Sequence, residues 1–475
     1  MPEPLDVPLV PQSLDRYREV LGDRFAFIAD QAEKARSLFG DRVLWQVNST
    51  HLGGGVAEML RSFLPYAIEA GVDTRWLVIS GDPPFFEATK RIHNKLHGHP
   101  GDGGRLGPAE RESFARISGE SMRGLIDRVG PGDVVFLHDP QTAGLVEGLT
   151  DRGALILWRC HVGIDRPNEH VEEAIEFLTP MVSPAHGYVF SRGAYAWASL
   201  DPSRTHLMAP AIDAFSPKNQ ELEPPTVEAI LQVIGLVDGA PSSPPGFSTS
   251  DGTPALVERS GEVLQERALP PGATLITQVS RWDVLKDHEG LLACFADHFV
   301  DSDAHLALVG PSSGAVADDP EGPAVQERIA AAWHDLPAPV RERVHVVALP
   351  MDDFDENGVM VNAIQRRSDI IVQKSLAEGF GLTVSEAMWK GKPVVASAVG
   401  GIMDQVIDGE TGFLVSDPTD LAAFAEALHS LVDDPALAAR MGEAARQRVR
   451  TDFLAASRIA EYVDVISTLG PASGR

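Results

Sequence analysis

The chain has 475 residues, more than one hydrophobic core usually organises, so two domains of about 200 residues each are expected. Apolar residues make up 44%, an ordinary globular fraction, and no apolar run approaches the ~20 residues of a membrane span, which predicts a soluble protein. The formal charge of −28 argues against nucleic acid and anionic membrane as partners, because their phosphates would be repelled; an anionic ligand needs a local basic pocket.

The segment Met1 to Leu21 mixes Pro, Asp, Arg and Glu without an apolar stretch, unlike a secretory signal. Two cysteines, Cys160 and Cys294, are too few for a disulfide framework and too far apart for a local metal motif, and a cytoplasmic location is expected. Cys160 reads as a buried strand thiol, although Arg159 and His161 beside it could lower its pKa.

From Arg42 to about Ile212, short apolar runs alternate with amphipathic stretches. Val43–Val47, Thr74–Ile79, Asp133–Leu137, Ala154–Trp158 and Gly187–Phe190 are strand candidates, and helical patterns between most of them predict a parallel sheet wrapped by helices. The first strand runs into Gly53-Gly54-Gly55 and an amphipathic helix. A glycine triplet there permits close backbone approach to an anion or a sugar oxygen, but it is also ordinary loop geometry, and its spacing is not that of a dinucleotide fingerprint. His138-Asp139-Pro-Gln141 and Arg159-Cys-His161 each follow a strand. Polar residues at the carboxyl ends of such strands point into the ligand crevice, where imidazole and carboxylate suit sugar hydroxyls; a satisfied loop histidine is the alternative at either position.

The stretch Asp238 to Pro254 is rich in Pro, Ser and Gly and lacks apolar periodicity, so a mobile, exposed insertion near the start of the second domain is expected. The alternation then restarts with Thr274–Val279, His305–Val309, Val344–Val347, Ile370–Val372, Pro393–Ala396 and Gly412–Val415, predicting a second doubly wound domain and a central cleft between the two. Just past the first of these strands, Arg281 and Lys286 place two cations where a departing diphosphate would need them; a solvated charge pair is the bland reading.

Glu378-Gly379-Phe380-Gly381-Leu382-Thr383-Val-Ser-Glu386 packs a glycine loop, two carboxylates and a helix start into one unit. Gly379 and Gly381 let backbone N–H groups approach an anion, and a helix opened by Thr383 carries positive partial charge at its N-terminus. Thr383-x-x-Glu386 is equally a capping box. The tail from Asp417 has helical spacing, with Asp417-Pro-Thr-Asp420 as a start and Asp433-Asp-Pro435 as a break. The sequence has no HExxH or CxxC, the Asp318-Asp319 pair sits in a Gly- and Pro-flanked surface loop, and no catalytic metal is expected.

Glu378-x7-Glu386, with Val47-Asn-Ser-Thr-x-x-Gly-Gly-Gly-Val-Ala-Glu58, Phe86-x-x-Thr-Lys-x-x-His-Asn94, His138-Asp-Pro-Gln141, Trp158-Arg-Cys-His161, Gln278-Val-Ser-Arg281, Asp319-Pro-Glu-Gly322 and the run from Glu378 to Pro393, resembles the retaining nucleotide-sugar glycosyltransferases of family 4. The Glu-x7-Glu spacing specifies only that broad family; the other blocks resemble its trehalose glycosyltransferring synthases and the related trehalose phosphorylases, from about Ser13 to Leu469.

The resemblance implies an α/β protein of two Rossmann-like doubly wound domains facing a central cleft (GT-B). An acceptor-side domain would span 1–212 and a donor domain 213–455, with a C-terminal helix in 456–475 packing back on the first. It implies that Arg281 and Lys286 hold the donor diphosphate, Glu386 the ribose, and Glu378 with the Gly379–Leu382 backbone the donor glucose. His161 would contact the donor sugar near the reacting carbon, with Gly53, Gly54, Gly55 and Asp139 bordering the acceptor. The run after His161, Val-Gly-Ile-Asp165, departs from the family's usual one and puts acceptor contacts in question. The implied reaction joins a nucleotide-glucose (ADP- or UDP-glucose) and glucose into α,α-trehalose, reversibly, by a homodimer without metal or other cofactor. Phosphorolysis of trehalose to glucose 1-phosphate is the alternative. A sugar-nucleotide epimerase would leave the trehalose-type blocks unexplained, and a non-catalytic sugar-nucleotide-binding module would be expected to lose Arg281, Lys286 or Glu378.

Overall fold

The computed structural model describes residues 4–51, 54–312 and 322–469, so Gly53 and the Asp318-Asp319 loop with its motif up to Glu321 lie outside the described residues. The chain forms two compact units. One takes the chain up to Ala211 and again from Leu454; the other is Ile212–Phe453.

The first unit is built on a seven-stranded sheet of β1 (Leu5–Val7), β2 (Leu44–Asn48), β3 (Thr74–Val78), β4 (Val134–His138), β5 (Leu155–Cys160), β6 (Gly187–Phe190) and β7 (Thr205–Leu207), in the order β1-β3-β2-β4-β5-β6-β7. All neighbours are parallel except β1, which pairs antiparallel with β3. The five strands expected from sequence in this half are β2 to β6. Every residue of β2, β4, β5 and β6 is buried, as strands covered on both faces must be. Helices Pro83–Leu96, Pro108–Leu125 and Glu169–Val182 pack their apolar stripes on one core that includes Trp45, Phe85, Phe114, Trp158 and Phe177. The C-terminal helix Arg458–Thr468 belongs to this unit, where it packs on the helix Arg24–Phe39. Its Tyr462 ring lies 4.4 Å from Phe63 and 4.7 Å from Phe136.

The second unit carries β8 (Gly246–Ser248), β9 (Pro254–Leu256), β10 (Glu262–Leu264), β11 (Leu275–Val279), β12 (His305–Pro311), β13 (Val344–Leu349), β14 (Ile370–Gln373), β15 (Val394–Ser397) and β16 (Gly412–Val415). Its main sheet has the order β10-β13-β12-β11-β14-β15-β16, parallel but for the edge strand β10. The strand order reverses around β11, which lies between β12 and β14, and around β2 in the first unit. In a doubly wound sheet such a switch point leaves a crevice outside the carboxyl ends of the strands. The six strands expected from sequence in this half are β11 to β16. In the tail, Asp420 and Asp434 cap the helices Leu421–Val432 and Pro435–Asp452 by accepting the N–H of Ala423 and Leu437.

The 238–254 segment is mostly exposed, as expected, but it is not structureless: it carries β8 and runs into β9, and the two pair as an antiparallel hairpin. Phe247 is buried in a core with Val227, Ile230 and Leu269, and the hairpin is tied down by Gln220, whose side chain bonds both backbone polar groups of Ser248, and by Asp355, which accepts from Ser250. Phe247, with Ala255 and Val257 of the returning strand on the same core, and paired backbone groups dock a segment whose composition alone reads as loop. The short edge strands β1, β7 and β10, three residues each, carry too little periodicity to be visible in sequence.

Candidate active site

In the second unit the turn after β11 carries Arg281 and Lys286, and the turn after β14 carries Glu378. Because β11 and β14 are neighbours at the switch point, the two turns meet. Lys286 Nζ donates to Glu378 Oε2 at 2.6 Å, both side chains largely shielded (15% and 12% exposed). The two residues to which the resemblance gives separate roles, at the diphosphate and at the hexose, are thus partners of one another. Arg281, on the same turn, is 42% exposed and 3.5 Å from Asp283.

Buried polar side chains fix the geometry of these turns. Gln278, fully buried in β11, donates to the Lys286 carbonyl at 2.7 Å and accepts from the Lys374 N–H at 2.9 Å, bolting one turn to the other. His288 faces Ser280 Oγ (2.9 Å) and the Arg281 carbonyl (3.2 Å), and burial lowers its pKa to about 4, so it is neutral at physiological pH. Asp287 takes positive φ (47°), accepts the Gly290 N–H at 3.0 Å as helix cap, and forms an ion pair with the buried Lys374. Sequence reasoning gave no role to Gln278 or Lys374. The available signal was a Gln inside the mostly apolar run Leu275-Ile-Thr-Gln-Val279, since a buried amide must be bonded.

The glycine loop leads into the helix Leu382–Trp389, whose N-cap is Gly381 in the left-handed region (φ 82°, ψ 65°). Thr383 therefore lies inside the helix and not at its cap, and neither helix opening at Thr383 nor the capping box is found. Its hydroxyl donates instead to Gln373 Oε1 at 3.0 Å. Gln405, buried, holds the loop's shape by donating to the carbonyls of Phe380 (2.5 Å), Gly381 (3.3 Å) and Gly401 (3.2 Å). Close packing explains Gly401: a Cβ there would stand 2.7 Å from Phe380 Cα. Phe380 itself packs on Phe453 with ring centroids 5.9 Å apart, so its contribution to a ligand is backbone. With carbonyls turned inward to Gln405, the loop and helix start can present N–H groups to an anion.

Glu386, four residues into the helix, is nearly closed to solvent (3% exposed), and Lys218 Nζ stands 3.4 Å from its Oε1. Lys390, fully enclosed behind it, donates to Asn219 Oδ1 (3.0 Å) and the Glu386 carbonyl (3.1 Å); burial drives its pKa well below the usual lysine value. Lys218 was not singled out from sequence. If Glu386 binds the ribose, Glu386→Gln weakens nucleotide affinity by roughly 10-fold, the worth of about one charged hydrogen bond. Titration calorimetry with the nucleoside diphosphate checks this, and unchanged affinity would leave Glu386 with a structural role.

In the first unit, Gly54 (φ 81°, ψ 153°) caps the helix Gly55–Glu69 at the end of β2. The next strand of the switch point, β4, ends in His138 and Asp139, and β5 ends just before His161. Asp139 has φ 62° and ψ 176°, a conformation costly for any residue with a Cβ. The surroundings hold it there: its N–H donates to the Arg159 carbonyl (2.8 Å), its carbonyl accepts from Trp158 Nε1 (3.2 Å), and its Oδ1 accepts the His161 N–H (2.8 Å). Burial raises the Asp139 carboxyl to about 6 against the opposing effects of the His161 N–H and Arg159. One carboxylate oxygen of Asp139 thus serves His161, a positioning role the sequence reading did not foresee.

The His161 ring faces His138, Nε2 to Nδ1 at 3.0 Å, and His138 Nε2 lies 2.7 Å from Gln46 Oε1. Burial and, secondarily, Arg159 push both imidazoles well below their usual pKa, leaving them uncharged at neutral pH. Cys160 is buried and its thiol is pushed up by burial, consistent with a structural role. No group of three or more His, Cys, Asp or Glu among the described residues is arranged to hold a metal ion, and no helix among them is long and apolar enough to cross a membrane.

Residues 46–197 match the family description "Trehalose synthase, N-terminal domain", and 351–448 match "Glycosyl transferases group 1". The trehalose synthase of Pyrococcus horikoshii is 34% identical over 97% of this chain and 97% of its own. The trehalose phosphorylase of Pleurotus pulmonarius is 27% identical over 92% of this chain but only 58% of its own. Among solved structures, the UDP-forming α,α-trehalose-phosphate synthase of Burkholderia vietnamiensis superposes with a TM-score of 0.64 at 14% identity, over 91% of this chain and 98% of that one, a likeness of fold alone. The two parallel-sheet units are those of the GT-B glycosyltransferases, and the chain belongs to the trehalose synthase family of glycosyltransferases.

Proposed function

We propose that this chain transfers glucose, with retention of configuration, from a nucleotide-glucose to free glucose, forming α,α-trehalose reversibly. The observation that carries the reading is the meeting of Lys286 and Glu378 at the switch point of the second unit, with Arg281 on the same turn as Lys286, in a family whose synthase members match this chain over nearly all of its length. Lys286 and Arg281 take the diphosphate, the loop Gly379–Leu382 and the N-terminus of the following helix add backbone donors, and Glu386 takes the ribose. Glu378, relieved of Lys286 by the incoming phosphates, is available to the hexose hydroxyls. His161 is assigned to the transferred glucose near its reacting carbon, and Asp139 with the Gly53–Gly55 turn to the acceptor.

Chemically, the C1–O bond to the leaving phosphate breaks as the acceptor O1 forms its bond to C1 on the same face. The departing phosphate oxygen takes the acceptor's proton, so no enzymic nucleophile is required. The negative charge that grows on the diphosphate is stabilised by two side-chain cations and a helix N-terminus, which cost no reorganisation at the moment of reaction. On this account the enzyme works without a metal, as a family 4 transferase and a homodimer.

Phosphorolysis is the second reading, favoured by the phosphorylase relatives, although this chain spans little more than half of theirs. Incubating the protein with ADP-, UDP- or GDP-glucose plus glucose, and separately with trehalose plus phosphate, tests the choice. Nucleotide release matched by disaccharide formation is expected in the first set. Glucose 1-phosphate formed only in the second would replace the synthase reading.

A further inference from the structure

Two buried side chains of the first unit, Gln46 and His138, form a chain that ends at the half-buried His161. Gln46 stands in the middle of β2, completely enclosed, in a mostly apolar run. On the neighbouring strand β4 it is registered with Phe136, so His138, two residues on, projects from the same face. The carbonyl oxygen of Gln46 is 2.7 Å from His138 Nε2, and His138 Nδ1 is 3.0 Å from His161 Nε2. The two rings lie 5.3 Å apart, tilted by 15°.

With the carbonyl oxygen of Gln46, and not its amide nitrogen, turned to His138, the direction of these bonds follows from Gln46. An amide oxygen only accepts, so His138 Nε2 carries the hydrogen. A neutral imidazole has one N–H, which makes His138 Nδ1 an acceptor, and the hydrogen of the next bond must then come from His161 Nε2. His161 Nδ1 is left as a bare lone pair. We propose that Gln46 and His138 are positioning residues that hold His161 in its Nε2–H tautomer, so that its Nδ1 accepts a hydrogen bond from a hydroxyl of the hexose being transferred.

Asp139 completes the device by gripping the His161 backbone N–H at 2.8 Å, so ring and main chain are fixed separately. Charges near the dyad reinforce neutrality: Arg159, registered beside His138 on β5, is fully buried and disfavours an imidazolium on either ring. The tautomer matters because the reverse one would present N–H where a lone pair is needed, and a hydroxyl meeting it would have to turn from donor to acceptor. The inference rests on the assignment of His161 to the transferred glucose made above.

Nitrogen-15 NMR of the histidine-labelled protein reads the tautomer directly. His161 is expected to show an unprotonated Nδ1 and a protonated Nε2, and the opposite pattern overturns the proposal whatever the variants do. Gln46→Leu should mix the tautomers and lower kcat roughly 10-fold or more, the usual scale for a misplaced reacting group, with nucleotide affinity unchanged. Gln46→Glu, which keeps an oxygen acceptor on His138, should restore much of kcat and move the acidic limb of the pH profile upward, as a carboxylate there favours the protonated dyad. A purely structural Gln46 would lower the melting temperature in both variants without moving tautomer or pH profile, and that outcome sinks the proposal. His161→Ala separates the two layers: wild-type turnover in it removes the underlying assignment, whereas an inactive His161→Ala beside a fully active, folded Gln46→Leu removes only the relay.

Discussion

Replacing Lys286 by Ala is expected to lower kcat for transfer about 10²-fold or more, the usual loss when one preorganised electrostatic stabiliser is removed. Two effects act together. The ammonium that would meet charge developing on the diphosphate is gone, and Glu378, 2.6 Å from it and only 12% exposed, loses its ammonium partner beside the incoming phosphates. The second effect distinguishes Lys286 from Arg281, which is 42% exposed and whose carboxylate neighbour Asp283 lies on its own turn at 3.5 Å. Lys286→Ala should therefore also raise KM for the nucleotide-glucose, and adding Glu378→Gln to it should recover part of that KM without recovering kcat. Such non-additivity is the mark of two groups acting through one contact. Steady-state kinetics of the single and double variants measure it. Near-normal turnover in Lys286→Ala would remove this turn from the diphosphate site.

His161→Ala is expected to produce the other large loss, again about 10²-fold in kcat, because a positioned imidazole contributes on that scale. Here the residues proposed to bind the nucleotide, all in the second unit, are untouched, so the dissociation constant of the nucleoside diphosphate should stay at its wild-type value. The ring also terminates a bonded pair with His138 at 3.0 Å, and its removal leaves His138 Nδ1 without that partner. A moderate fall in melting temperature accompanies the kinetic loss, about 1–3 kcal/mol of stability for one buried polar group left unbonded. Wild-type kcat would show that His161 is a structural histidine, the reading the sequence alone leaves open.

Much of the fold is legible in the chain because parallel strands buried on both faces announce themselves as short runs of Val, Ile and Leu between amphipathic stretches. All eleven such runs named from the sequence are strands. What escaped was of another kind. Three-residue edge strands such as Leu5–Val7 have no period to detect, and the hairpin at 246–256 depends on the burial of Phe247 and on bonds from Gln220 and Asp355 far away in sequence. Of the candidate site, Lys286 and Glu378 were each singled out in the sequence, as a cation and a carboxylate just past a strand, and the structure brings them together.

The pairing of the residues was not legible. That Lys286 neutralises Glu378 follows from β11 and β14 being neighbours, a fact of strand order and not of local sequence. The bonded roles of Gln46, Gln278 and Gln405 were equally hidden; for Gln46 and Gln278, an amide inside a mostly apolar strand run was the one signal that could have drawn attention to them. Thr383 shows the opposite error. Its spacing to Glu386 fits a capping box, yet Gly381 in the left-handed region begins the helix two residues earlier and leaves Thr383 to bond Gln373.

The most direct test of the central claim is the stereochemistry of the product made from nucleotide-glucose and free glucose, read by proton NMR of the purified disaccharide. Retentive transfer to the anomeric hydroxyl gives a symmetric molecule, so a single anomeric resonance with the small coupling of an α-linked glucose and no reducing-end signal is expected. An α,β-linked disaccharide, a reducing disaccharide, or glucose released without any disaccharide would contradict the account.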